Sequence, residues 1–113
     1  MRGIRVPKIV RNPTDRSISL SHRPNHCSLI WLHGLGDSSE GFLSFFTHAL
    51  SPLYRGVRIK LLQAPTIPVT INQFAEMPAW YDIKSTARFK GEESSVFDMQ
   101  QVESSTAFVK KNV

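Results

Sequence analysis

The residues best placed to do chemistry are His33-Gly34-Leu35-Gly36-Asp37, which follow the apolar run Leu29-Ile30-Trp31-Leu32. A short apolar run bounded by glycines reads as a buried strand. Glycines after it let backbone N–H groups approach a small anionic centre closely. Two chemistries use such a loop. A dinucleotide cradle needs Gly-x-Gly-x-x-Gly, with an acid roughly 20 residues on for the ribose. Here Ser39 stands at the third glycine position, and Asp37 sets a carboxylate where the pyrophosphate would lie. The next apolar run ends in Gln63-Ala64-Pro65, without an acid. An oxyanion hole asks only for a backbone N–H held at the end of a strand. That reading survives, although Gly-x-Ser-x-Gly, the usual nucleophile turn of such sites, is absent from these 113 residues.

The elements that must position the loop follow from periodicity. Phe42, Phe45, Phe46, Ala49 and Leu53 fall on one face of a helix over 40–51, with Asp37, Ser38 or Ser39 to cap it and Pro52 to end it. Residues 57–63 (Val-Arg-Ile-Lys-Leu-Leu-Gln) read as a second buried strand. Strand, glycine loop, helix and strand form the right-handed parallel unit of an α/β sheet, so strands near 27–33 and 57–63 are expected side by side and parallel. Pro65–Trp80 reads as a long proline-punctuated loop with a short hairpin around Val69–Ile71. Val96, Met99, Val102, Thr106 and Val109 step by three and four, predicting a helix over 95–110 with one buried stripe. Glu92 and Glu93 precede it and Lys110 and Lys111 end it, matching its dipole.

Four motifs, in order, carry a family resemblance. Trp31-Leu32-His33-Gly34-Leu35-Gly36-Asp37-Ser38, Leu62-Gln63-Ala64-Pro65, Pro68-Val69-Thr70-Ile71-Asn72 and Met77-Pro78-Ala79-Trp80-Tyr81-Asp82-Ile83 resemble the acyl-protein thioesterase/lysophospholipase (phospholipase/carboxylesterase) family of α/β-hydrolases. The match covers roughly 27–110, the N-terminal half of such a domain. It implies an α/β-hydrolase-like, mainly parallel sheet with flanking helices, ending before the nucleophile strand. It also implies a serine hydrolase without cofactor or metal that removes fatty-acyl groups from protein cysteines or from lysophospholipids. By similarity, Leu35 donates an oxyanion-hole N–H, with His33, Gly34, Gly36 and Asp37 supporting the loop. Met77 and Trp80 lie beside the acyl groove, and Pro68, Val69 and Thr70 belong to the loop that covers it. No triad residue is carried over, so the 113 residues alone are expected to be inactive. The alternative is a non-catalytic fragment that binds acylated partners.

Plainer roles compete at each position. His33 precedes the loop and is better suited to fixing it by hydrogen bonding than to moving a proton. Asp37 suits a helix cap, Asp82 a turn or ion pair, and Trp80 a core position. Cys27, the single cysteine, is expected to be a buried, inert thiol in a reducing compartment.

Composition adds exclusions. The net charge of +5 belongs to residues 1–26, where six basic residues face Asp15, whereas eight basic and eight acidic residues balance over 27–113. No basic patch interleaved with stacking aromatics appears there, so nucleic acid is not the expected partner. No apolar run reaches the ~18–20 residues of a membrane span, which leaves at most peripheral membrane contact. The basic leader, residues 1–26, has the composition of an organellar transit peptide, but Pro7, Pro13 and Pro24 interrupt any long helix. The plainer reading gives a cytoplasmic protein whose leader holds edge strands around Ile4–Val10 and Ile18–Leu20, joined by a turn at Asn12-Pro13.

Overall fold

A computed structural model describes residues 8–21, 27–49, 56–85 and 96–113. The chain divides into two compact units, 1–33 with 38–63 and 34–37 with 64–113.

The first unit is built on a four-stranded sheet in the order β1-β2-β4-β3, from β1 (Lys8–Arg11), β2 (Ile18–Ser21), β3 (Cys27–Leu32) and β4 (Val57–Leu62). β3 and β4 run parallel, Cys27 opposite Val57 through Leu32 opposite Leu62, as the strand–loop–helix–strand pattern requires. β1 and β2, both from the basic leader, pair antiparallel with each other, and β2 pairs antiparallel with β4. Alternation fixes the faces. Ile18 and Leu20 on β2 and Ile59 and Leu61 on β4 are fully buried with Phe46, and Trp31, Phe42, Leu43, Val57 and Ile9 pack against them. Trp31 meets Phe42 and Phe46 at ring-centroid distances of 4.9 and 5.3 Å, so the aromatic stripe after the glycine loop covers this face of the sheet.

That covering segment differs from the expected helix. Helical backbone starts at Leu43 rather than at residue 40 and widens into a π-helical turn, Phe45–Ala49. Ser39 does not cap it: the helical backbone begins four residues later, and Ser39 instead donates its N–H to Gln63 Oε1 at 2.9 Å and its hydroxyl to the Arg16 carbonyl at 2.8 Å. Leu53 and Pro52 lie outside the described residues, as do Glu92 and Glu93.

The second unit contains the hairpin expected around Val69–Ile71, but longer, and so corrects the long loop expected over 65–80. Most of it is an antiparallel hairpin of β5 (Thr66–Val69) and β6 (Ala75–Pro78), Thr66 opposite Pro78 and Val69 opposite Ala75. Gln73 and Phe74 at its tip take left-handed φ of 58° and 59°, which closes it without glycine. Helix α1 (Met99–Lys111) starts at Asp98, whose carboxylate accepts the Gln101 N–H at 3.1 Å, and Lys110 and Lys111 occupy its last turn as expected. Its expected buried stripe is only partly formed: Val102 and Val109 are half-buried, while Met99 and Thr106 are exposed.

β3 corrects two further expectations. It pairs only with β4 among the described strands, so it is an edge, and Leu29 and Leu32 are 41% and 44% exposed. Cys27 is consequently exposed rather than buried. An uncharged apolar edge is a template for further pairing, since its N–H and C=O groups have no ladder partner. The 113-residue chain is therefore expected to self-associate at micromolar concentration. Leu29→Lys, which sets a charge on that edge, should shift it toward monomer in sedimentation velocity. Equal association by the parent and the variant would show that β3 is not the sticking edge.

Candidate functional site

β3 runs through His33, which is 3% exposed, directly into Gly34–Asp37. These four residues form a tight turn closed by the Asp37 N–H on the Gly34 carbonyl at 3.1 Å. Its third position requires positive φ, and Gly36 supplies it at +77°. The Gly36 N–H then donates to the Pro78 carbonyl on β6 at 2.9 Å. A side chain at Gly36 would meet Met77 Sδ at 3.7 Å. The loop is thus tied to the hairpin by its second glycine, beside Met77.

Leu35 sits at the apex of this turn and is 44% exposed. Among the described residues its backbone N–H has no hydrogen-bond acceptor, in contrast to the donors at Gly36 and Asp37. A fixed N–H of this kind is what an incoming oxyanion requires.

The other residues singled out by sequence fall on the hairpin or just after it. Pro68 is exposed, Val69 is fully buried, and Thr70 begins the turn at the hairpin tip. Met77 is half-buried, and its sulfur accepts from Asn72 Nδ2 at 3.5 Å. Trp80 is half-buried and packs on Phe108 of α1 at 6.4 Å, while the Ser105 hydroxyl donates to the Trp80 carbonyl. Phe74 is 67% exposed and Ile71 36%, giving the hairpin an apolar tip.

Sequence reasoning missed how Asp82 organises this unit. Its carboxylate accepts the Thr70 hydroxyl at 2.6 Å and the Thr70 N–H at 2.8 Å. Its own N–H donates to Gln101 Oε1 at 2.6 Å, and its carbonyl accepts the Asp98 N–H at 3.1 Å. One aspartate therefore clasps the hairpin to the first turn of α1. Thr70 and Asp82 are twelve residues apart, and no local pattern announces the pair.

A family model described as phospholipase/carboxylesterase matches residues 13–113. The chain belongs to that family. The phospholipase/carboxylesterase match begins at Pro13 and so takes in β2, beyond the 27–110 over which the motifs run. Acyl-protein thioesterase 1 of Schizosaccharomyces pombe is 44% identical over 68 residues, which are 60% of this chain and 30% of that protein. A probable carboxylesterase of Oryza sativa subsp. japonica is 35% identical over 95 residues, covering 79% and 34% respectively. Among solved structures, Zea mays acyl-protein thioesterase 2 superposes with a TM-score of 0.60 at 23% identity, over 83% of this chain and 38% of that one; this is a likeness of fold. Arabidopsis thaliana SOBER1 superposes with a TM-score of 0.50 at 28% identity, over 78% and 42%. The chain spans about a third of the length of the curated relatives it matches. Its architecture is α/β-hydrolase-like.

The clasp predicts an acid-sensitive unit. The Thr70 hydroxyl and then the Thr70 N–H hold the Asp82 carboxyl below its ordinary value of 3.8, against a smaller opposing effect of burial. A carboxyl depressed on folding contributes stability above its unfolded value, and that contribution is lost as pH falls through the folded one. Thr70→Val and Asp82→Asn should each lower stability at neutral pH by about 1–2 kcal/mol, as expected for hydrogen bonds to a charged group at a half-buried site. In urea titrations from pH 6 to 3, the difference between the parent and Asp82→Asn should shrink below about pH 4. A difference that does not change with pH would assign the loss to packing instead.

Proposed function

We propose that this chain carries the oxyanion-hole loop and acyl-binding wall of a hydrolase that removes fatty-acyl groups from protein cysteines or from lysophospholipids. The observation that carries this reading is the Leu35 N–H, which has no acceptor among the described residues and sits in a turn fixed by Gly36. In acyl transfer a serine oxygen adds to the carbonyl carbon, and negative charge develops on the carbonyl oxygen. A preorganised N–H aimed at that oxygen stabilises it, and removing one such donor typically costs 10²–10³ in kcat, ~3–4 kcal/mol. The donor is a backbone group, so the leucine side chain is only loosely constrained.

Met77, next to Gly36, and Trp80, two residues beyond the Pro78 carbonyl that anchors the loop, are positioned to contact an acyl chain whose carbonyl sits at Leu35. Pro68 and Val69 at the end of β5 and Thr70 at the hairpin tip would form the arm that covers the acyl chain. His33, buried at the end of β3, holds the loop's entry. The triad implied by the family is not among these residues. The 113-residue polypeptide alone would therefore bind acyl groups without turning them over. No helix of the described residues is long and apolar enough to cross a membrane. We place the activity in the cytoplasm, with acylated proteins or lysophospholipids met at a membrane surface, and organellar delivery by the basic leader as the alternative.

A chimera tests this. Residues 13–113 would replace the matching part of the Schizosaccharomyces pombe enzyme, which then supplies the nucleophile. The chimera is expected to hydrolyse p-nitrophenyl octanoate and a palmitoyl-cysteine peptide. Leu35→Pro, which deletes the donor N–H, should lower kcat about 100-fold, whereas Leu35→Ala should stay within a few-fold. Equal losses in the two variants, or none in Leu35→Pro, would remove Leu35 from the oxyanion hole. The isolated chain should not react with a fluorophosphonate probe, because an activated serine needs a base within hydrogen-bond reach. Stoichiometric labelling would reveal a nucleophile among its own serines.

A further inference from the structure

The first unit holds a second concave site. A cavity of about 370 Å³ lies between the β1–β2 turn, the Ser38–Glu40 segment and Gln63 at the end of β4. Its size falls within the ~300–1,000 Å³ range of small-molecule pockets. Pro13 and the buried Ile18 give it an apolar wall, and the charged residues lining it are Arg11, Arg16 and Glu40.

These charges are unequally engaged. Arg11 gives its Nε and Nη2 to the two Glu40 carboxylate oxygens at 2.7 and 3.3 Å, so that pair is already neutralised. The Arg16 guanidinium has no hydrogen-bond or ion-pair partner among the described residues. Of the charged residues lining the cavity, Arg16 is thus the one whose side chain is not engaged among the described residues, and its planar fork suits an oxyanion.

The backbone beneath that cation makes it more than an ordinary exposed arginine. The turn is closed by the Asn12 N–H on the Ser17 carbonyl at 2.9 Å and by the Arg16 N–H on the Asn12 carbonyl at 2.8 Å. This geometry forces Arg16 to φ +61°, a conformation suited to glycine or asparagine. A non-glycine residue there costs of order 1 kcal/mol, and such strain clusters at ligand sites. The Arg16 carbonyl is held by the hydroxyl of Ser39, itself 5% exposed, whose N–H is fixed to Gln63. The cavity wall is thus braced from three segments of chain around the strained arginine.

We propose that this cavity is a binding site for a small oxyanion, a phosphate- or carboxylate-bearing ligand held by Arg16. It is independent of the acyl-hydrolase reading and involves none of its residues. Equilibrium dialysis of the full 113-residue chain against labelled inorganic phosphate or labelled acetate, at ionic strength fixed with chloride, tests it. Saturable millimolar binding of either anion is expected, and which one saturates identifies the ligand class. Arg16→Gly, which suits the left-handed turn, should weaken binding at least tenfold while its urea midpoint stays the same or rises. Glu40→Gln, which releases Arg11, should tighten binding several-fold. Absence of saturable binding to the parent, or undiminished binding by Arg16→Gly, would overturn the proposal. A lower urea midpoint in Arg16→Gly would do so too, by showing that the arginine is kept for the fold.

Discussion

The in-register parallel pairing of β3 with β4 is the constraint on which the rest of the first unit depends. Two parallel strands cannot be joined by a tight turn, because the chain must return from the end of one to the start of the other. The segment between Leu32 and Val57 has to make that return, and its aromatic residues close the core over Trp31, Ile59 and Leu61 on the way. β2 then uses the other edge of β4, which makes β4 one of the two interior strands, with Ile59, Leu61 and Leu62 fully buried.

The glycine loop follows His33 in the chain and is shaped by a constraint of its own. A strand that must end at Leu32 hands the chain to a turn whose third residue takes φ of +77°, and only glycine does so without a steric penalty. The second glycine also anchors the loop to Pro78. With the Gly36 and Asp37 N–H groups engaged in this way, the Leu35 N–H is left without an acceptor among the described residues. The oxyanion role proposed for Leu35 would rest on main-chain geometry, so the flanking glycines would carry the information and the leucine little.

Much of this was legible in the chain, and the illegible parts share a cause. A continuous apolar run located β3, alternation located β4 and steps of three and four located α1 within a few residues, although only β4 among them has fully buried side chains. Four motifs at their spacing led to the phospholipase/carboxylesterase family. Exposure of Cys27 was not legible, since an apolar strand reads the same at the centre of a sheet and at its edge. A short hairpin around Val69–Ile71 was legible, but its full extent was hidden by Pro68 and Pro78, which suppress a strand reading, and by a tip that turns on Gln73 and Phe74 rather than on glycine. Ser39, one of three candidate caps with Asp37 and Ser38, lies four residues before the helical backbone begins and donates instead to two distant segments, Gln63 and Arg16. The Thr70–Asp82 clasp is a tertiary contact with no local signature.

That clasp has a consequence for how the second unit opens. Asp82 bonds Thr70 through its carboxylate and α1 through both of its backbone groups, by way of Gln101 and Asp98. Neither the hairpin nor the first helical turn can come apart without releasing the same residue. The two elements, which share no ladder of backbone pairing, are thereby made a single cooperative unit, protected and exposed together in hydrogen exchange. Any event that unravels the start of α1 therefore bears on the hairpin tip that carries Phe74.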